Sequence, residues 1–192
     1  MNDLIYKSIQ LLKSKTSVKI VNYLTNNNDL IYICPHLYLG NINSSQQPEL
    51  LIKNNIQSIV NCTNDIEFNS YFNNKSKSKY RVNIEDSKNN ENIEDFKMKI
   101  IQTVNFIDNQ INNNNNVMVH CYWGLMRSPT VIASYLIYKY NMNVEDAIQF
   151  IKNKKNFTFH NSYNFKEILN FIKEEFNKEL IFKNNLNKIK NL

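Results

Sequence analysis

The chain predicts an α/β fold: a single domain with a central mixed sheet of about five strands flanked by helices. Three observations point there. Short apolar runs bounded by turn residues alternate with longer stretches of helical periodicity. The 192 residues suffice for one well-buried core and are short for two domains. An apolar run at Val117–His120 is followed by a glycine-containing loop and then by Ser128-Pro129 and a second apolar stretch. In open α/β sheets, such a strand–loop–helix passage places a binding site at the carboxyl end of the strand.

The segment 2–24 carries Leu4, Ile5, Ile9, Leu11 and Leu12, then Val18, Ile20, Val21 and Leu24, near helical spacing, with Ser14 to Ser17 a break between two helices. Asn26-Asn27-Asn28-Asp29 is a polar turn or linker. Tyr32–Cys34 and Leu37–Leu39 read as short strands around Pro35, and Pro48 as the first-turn proline of a short helix ending at Lys53. Ile56–Asn61 reads as a buried strand, Asn64–Lys79 as a polar loop and Tyr80–Ile84 as a strand. From Glu91, the series Ile93, Phe96, Ile100, Val104, Ile107, Ile111 is one helical face that ends in the Asn112–Asn116 run. Ser128 and Pro129 open a helix to about Tyr140; Asn143, with Asp146 three places on, caps one to about Asn153. Asn161 or Ser162 opens a last helix to about Phe182.

The chemistry concentrates in Val117-Met118-Val119-His120-Cys121-Tyr122-Trp123-Gly124-Leu125-Met126-Arg127-Ser128-Pro129-Thr130. A loop between a strand and a helix N-terminus turns main-chain N–H groups toward one point, and the helix dipole adds positive potential there. The amides of Tyr122, Trp123, Gly124, Leu125 and Met126 would then cradle an oxyanion, with the planar donor fork of Arg127 matching two of its oxygens. The same environment favours the thiolate of Cys121 at neutral pH. A nucleophile beneath a bound phosphoryl group makes a phosphoryl-transfer site. Arg81 and Arg127 are the only arginines among 23 basic residues, so an arginine six places after a cysteine is unlikely to be accidental.

His-Cys-x-x-Gly-x-x-Arg-Ser resembles the signature of the cysteine-dependent protein phosphatases, and the following Pro-Thr that of their dual-specificity branch, in a small atypical form. The likeness extends from Ile33-Cys34-Pro35-His36-Leu37-Tyr38-Leu39-Gly40 through Ile56–Thr63 and Ile84-Glu85-Asp86-Ser87 to Ala147–Leu169, so that residues 31–180 are covered. The resemblance implies a cysteine-phosphatase fold with 1–28 as an N-terminal helical extension, 29–182 as the catalytic domain and 183–192 as a tail. It also implies hydrolysis of phosphotyrosine and phosphoserine or phosphothreonine in proteins through a phosphocysteine. Asp86 matches the family's general acid, with Glu85 as the alternative. His120 would orient the cysteine loop, and Ser128 would donate to the departing thiolate as well as cap the helix. Asn161 resembles a loop-supporting Asn of the family, whereas His160 and Asn156 depart from its pattern. Trp123 and Met126 also depart from it and bear on substrate preference. The alternatives are a phosphoprotein-binding pseudophosphatase and an RNA 5′-phosphatase.

Composition narrows the classes. With 42% hydrophobic and 12% aromatic residues the chain is that of a globular protein. About a fifth of the residues are Asn, which an A+T-rich coding sequence explains without a functional role. The net charge of +6 is spread over scattered lysines rather than a basic stripe, so the expected partner is a phosphoprotein and not nucleic acid. Three cysteines at wide spacing suit neither a disulfide framework nor a zinc site; Cys34 and Cys62 read as small buried hydrophobes. His36 and His160 lack ligand-spaced partners, so neither metal nor cofactor is expected. No apolar run is long enough for a membrane span and no signal-peptide pattern opens the chain, which leads to the expectation of a soluble protein in a reducing compartment, cytoplasmic or nuclear. The apolar positions of 2–24 need a surface: their own domain or, as in poxvirus-type dual-specificity phosphatases with a similarly placed helix, a second copy in a homodimer.

Overall fold

Alternation along three parallel strands organises the molecule. The structure, a computed structural model, describes residues 30–84, 90–159 and 163–190, the side chains of 90–92, 163–164 and 179–190 excepted. The sheet comprises β1 (Leu30–Cys34), β2 (Leu37–Gly40), β3 (Ile56–Asn61), β4 (Ser78–Arg81) and β5 (Asn116–His120) in the order β1-β2-β5-β3-β4. β1 and β2 form an antiparallel hairpin and the remaining pairings are parallel, so the sheet is mixed. Leu37, Leu39, Val117 and Val119 face the larger core, while Met118 between them faces the smaller one with Ile59, Leu51 and Phe72. Gly40, His120 and Asn61 lie side by side in register, so that β2, β5 and β3 end together at one edge. Everything that follows β5 is launched from that edge.

Two short helices, α1 (Ile42–Ser45) and α2 (Pro48–Lys53), lie between β2 and β3; α3 (Asn90–Asn112), α4 (Arg127–Tyr140), α5 (Val144–Lys154) and α6 (Tyr163–Lys190) follow. α4 touches β2 and β5 as well as α3, α5 and α6. Its residues from Ser128 to Ile137 are consequently all buried. The helix that begins at the site is thus held on every side, and its first turn has little freedom to move.

Several boundaries differ from the sequence expectation. β4 pairs with β3 over Ser78–Arg81 rather than over 80–84, because β3 ends at Asn61 and offers no further partner; Val82 N–H makes the last bond, to the Asn61 carbonyl, at 2.8 Å. The expected loop 64–79 contains a 3-10 turn at Ser70–Asn73 whose Phe72 fills the smaller core. α1 was not expected; buried Asn41 and Ser44 hold it through reciprocal side-chain and main-chain bonds of 2.9 Å. α6 continues past 182 to Lys190, in keeping with the absence of any Gly or Pro after Pro129. Cys34 is only partly buried. The segments 1–29 and 85–89 and residues 160–162 lie outside the described residues, and with them the N-terminal helices, Glu85, Asp86, His160, Asn161 and Ser162.

The face of α3 yields a direct contrast. Ile107 is fully buried against the sheet while Met98 on the same helix is 76% exposed. Ile107→Ala is expected to cost about 2–5 kcal/mol of unfolding free energy. Met98→Ala should stay within about 0.5 kcal/mol, both read from urea titration.

Candidate active site

The carboxyl edge of β5 carries Cys121 directly after the buried His120, and the chain then loops through 122–126 into the N-terminus of α4. Cys121 is 2% exposed, and its sulfur accepts two hydrogen bonds of 3.2 Å, from the Gly124 N–H and from the Ser128 hydroxyl. Ser128 therefore does not cap α4. The helix starts two residues earlier than that cap would require, at Arg127, with Met126 in the cap position and no side-chain cap, which leaves the serine hydroxyl for the sulfur.

What shapes the loop is the fate of its carbonyls. Tyr122 O accepts from Ile42 N–H at 3.0 Å, Trp123 O from Lys155 Nζ at 3.1 Å and Leu125 O from Phe159 N–H at 3.0 Å. Met126 O accepts from both the Thr130 N–H, at 3.0 Å, and its hydroxyl, at 2.9 Å. In a trans peptide the N–H points opposite to the C=O. With these carbonyls held outward, the amides of Trp123, Gly124, Met126 and Arg127 turn to the inner side, where the sulfur lies. Gly124 has φ +66°, and a Cβ there would stand 2.6 Å from the Gly40 carbonyl oxygen, so this position excludes every side chain. Trp123, Leu125 and Met126 bury their side chains in the main core, and the Tyr122 and Trp123 rings meet edge to face at 4.8 Å. The side chains that depart from the family pattern thus act here as packing.

The two arginines brace the segments around the loop. Arg127 Nη1 donates to the carbonyls of Cys62, at 3.4 Å, and Ile84, at 3.2 Å, tying α4 to the end of β3 and to the chain just before Asp86. Arg81 donates to the Thr63 and Ile66 carbonyls at 2.7 and 2.8 Å. Sequence reasoning singled out Arg127 and passed over Arg81, although the same scarcity of arginine marks both. Lys155, Ile42 and Phe159 were also missed; nothing in their local sequence announces a contact with residues more than thirty positions away or, for Ile42, eighty.

Burial governs the neighbouring titratable groups. His120 is pushed down to about 3, first by desolvation and then by the positive charges of Arg81 and Arg127, against a contact with the Cys121 main chain that favours the cation. Its imidazole is therefore neutral at physiological pH, and Nδ1 has no hydrogen-bond partner among the described residues. His120 fills space and touches the main chain; it brings no positive charge to the sulfur. The Cys62 thiol is pushed well up, chiefly by complete burial and then by the proximity of Cys121. Beside Cys121, it stays a neutral thiol. His36 is remote in the β1–β2 turn, bonded to Asn116 Oδ1 at 2.8 Å. Among the described residues no group of three or more His, Cys, Asp or Glu side chains could hold a metal ion.

A buried thiol in a loop of inward amides at a helix N-terminus, on the carboxyl edge of an α/β sheet, is an arrangement of donors that suits an oxyanion. The chain matches the dual specificity phosphatase catalytic domain over residues 37–178, and it belongs to that family. It is 32% identical over 126 residues to human dual specificity protein phosphatase 9, an alignment covering 65% of this chain and 31% of that protein. To mouse dual specificity protein phosphatase 2 it is 30% identical over 138 residues, 67% of this chain and 40% of that one. The chain thus spans about a third of the length of the human relative. The crystal structure of human DUSP28 superposes with a TM-score of 0.68 over 78% of this chain and 95% of that one at 18% identity, and so shares the fold.

The buried neutral His120 predicts a specific acid sensitivity. The unfolded chain binds a proton at this imidazole below about pH 6.5, and the folded chain only near pH 3. Stability is therefore complete above pH 6.5 and falls as the pH drops toward 3. The linked loss is about 5 kcal/mol. In His120→Gln the part of the pH dependence of Tm between pH 6.5 and 3 should flatten, measured by circular dichroism beside the wild type.

Proposed function

We propose that this chain is a cysteine-dependent protein phosphatase that hydrolyses phosphotyrosine and phosphoserine or phosphothreonine in proteins, without metal or cofactor. The observation that carries this reading is the Cys121 sulfur with two donors at 3.2 Å in a loop of inward amides. These donors stabilise a thiolate and, equally, a thiolate leaving group. The loop amides and Arg127 bind the phosphoryl oxygens and hold the phosphorus over the sulfur.

In the first step the thiolate attacks phosphorus, a sulfur–phosphorus bond forms, and the bond to the substrate oxygen breaks as that oxygen takes a proton from Asp86. In the second, water attacks phosphorus, the sulfur–phosphorus bond breaks with its electron pair returning to sulfur, the water's proton passes to Asp86, and inorganic phosphate leaves. The Ser128 hydroxyl donates a hydrogen bond to the thiolate so released. The position of Asp86 on the chain supports this assignment: Arg127 grips the Ile84 carbonyl, two residues earlier, at 3.2 Å. Supporting the protein substrate class are the family to which the chain belongs and the lack of a basic stripe for nucleic acid. Among the described residues no helix is long and apolar enough to cross a membrane, and none of the three cysteines is in a disulfide; a reducing compartment, cytoplasmic or nuclear, keeps such a nucleophile active. We also assign a homodimer through the apolar positions of 2–24.

Cys121→Ser should bind phosphopeptides yet show no burst of phenol from an aryl phosphate, since a serine hydroxyl is scarcely ionised in this site; a burst at a tenth of the wild-type rate would end the covalent scheme. Asp86→Asn should slow poor leaving groups by about two to four orders of magnitude and aryl phosphates much less. If Glu85→Gln behaves this way instead, the acid is Glu85. Light scattering checks the dimer: full-length chain at micromolar concentration should have twice the monomer mass, and a chain beginning at Asp29 the monomer mass.

A further inference from the structure

One peptide group of the loop is gripped at both ends. Its carbonyl, from Trp123, accepts from Lys155 Nζ at 3.1 Å, and its N–H, from Gly124, donates to the Cys121 sulfur at 3.2 Å. Lys155 is only 5% exposed, an unusual degree of burial for a lysine. Its backbone is fixed as well. The Lys155 N–H closes α5 on the Ile151 carbonyl at 2.8 Å, and its own carbonyl accepts from the Thr158 hydroxyl at 3.0 Å. The side chain thus leaves a rigid helix end and runs inward to the loop. The ammonium arrives on the side of Gly124 where a Cβ would be, 3.0 Å from that position, so the glycine makes room for it.

We infer that Lys155 is a positioning residue for the nucleophile: its ammonium fixes and polarises the Trp123–Gly124 peptide so that the Gly124 N–H is held on the Cys121 sulfur. Donors in a chain of hydrogen bonds strengthen one another in a low-dielectric interior. A cation on the carbonyl oxygen draws electron density along the amide and makes the N–H at the other end a better donor to negative sulfur. His120, expected from the sequence to orient the loop, is neutral and brings no cation to it. On this inference Lys155 acts on the sulfur through one peptide bond, from the Trp123 carbonyl to the Gly124 N–H. A buried cation on the Trp123 carbonyl also adds positive potential beneath an anion site. The inference rests on Cys121 being the nucleophile.

The test is the pH dependence of alkylation of Cys121 by iodoacetamide, a neutral reagent, followed by mass spectrometry of the Cys121 peptide. The wild type is measured first. If its Cys121 titrates like an ordinary exposed thiol, the reading of Cys121 as an activated nucleophile fails, whatever Lys155 does. Given an activated wild type, Lys155→Met should react about fivefold more slowly at pH 6 and equally fast at pH 9, as a thiolate population lost at low pH requires. Lys155→Arg should recover most of the rate at pH 6, because the cation is restored. A folded Lys155→Met with the wild-type profile overturns the proposal, even if its Tm has dropped. Should that variant not melt cooperatively, Lys155→Gln decides. It keeps a donor for the Trp123 carbonyl without the charge, and slowing at pH 6 supports the inference while wild-type alkylation overturns it.

Discussion

The structure depends on a constraint at the main chain: a loop can offer its N–H groups to an anion only if its carbonyls are satisfied elsewhere. Burying a carbonyl without a partner costs a kcal/mol or more, of the order of 1–3 for each such group. Here the four carbonyls of Tyr122, Trp123, Leu125 and Met126 are taken by Ile42, Lys155, Phe159 and Thr130. The donors come from the start of α1, the end of α5, the segment beyond it and the first turn of α4. Each supporting element therefore has to be folded and in place before the loop adopts its inward-amide form. The site is a product of the whole domain, and its rigidity comes from outside.

That requirement accounts for the packing. α4 carries the first turn of the site and is enclosed by the sheet, α3, α5 and α6. The side chains of Trp123, Leu125 and Met126 reach from the loop into the main core, so a loop that turns amides toward the sulfur on one side is also a core element on the other. Packing of this kind resists the reorganisation that would otherwise weaken a preformed set of dipoles. Beneath the loop, burial keeps His120 and Cys62 uncharged, so neither adds a charge beside the sulfur.

The parallel register of β2, β5 and β3 brings three chain ends to one edge. From Gly40 the chain passes to α1 and its contact with Tyr122; from Asn61 it passes to Cys62 and Thr63, which meet Arg127 and Arg81. Residues separated by eighty positions thereby meet within a hydrogen bond. The scarcity of glycine follows the same logic. Of the two in the chain, Gly124 lies against the Gly40 carbonyl, and a Cβ on Gly40 would meet Met118 and Ser44, so both occupy points where backbone meets a neighbour directly.

The sequence by itself determined what is local. The α/β class, the buried strand 56–61, the face of α3 and the short helix behind Pro48 are written in periodicity and turn chemistry, which involve residues a few positions apart. The same holds for the spacing of Cys121, Gly124, Arg127 and Ser128, because a single strand–loop–helix passage brings them together whatever surrounds it. Tertiary structure decided the rest. Where β4 stops depends on where β3 runs out of partners. Whether Ser128 caps its helix or faces the sulfur depends on where the helix begins. That His120 is neutral follows from the depth of the core around it, and that Lys155 lies under the loop follows from the path of α5. Each of these is set by burial and by contacts between distant segments, and a free energy of that kind has no signature in neighbouring residues.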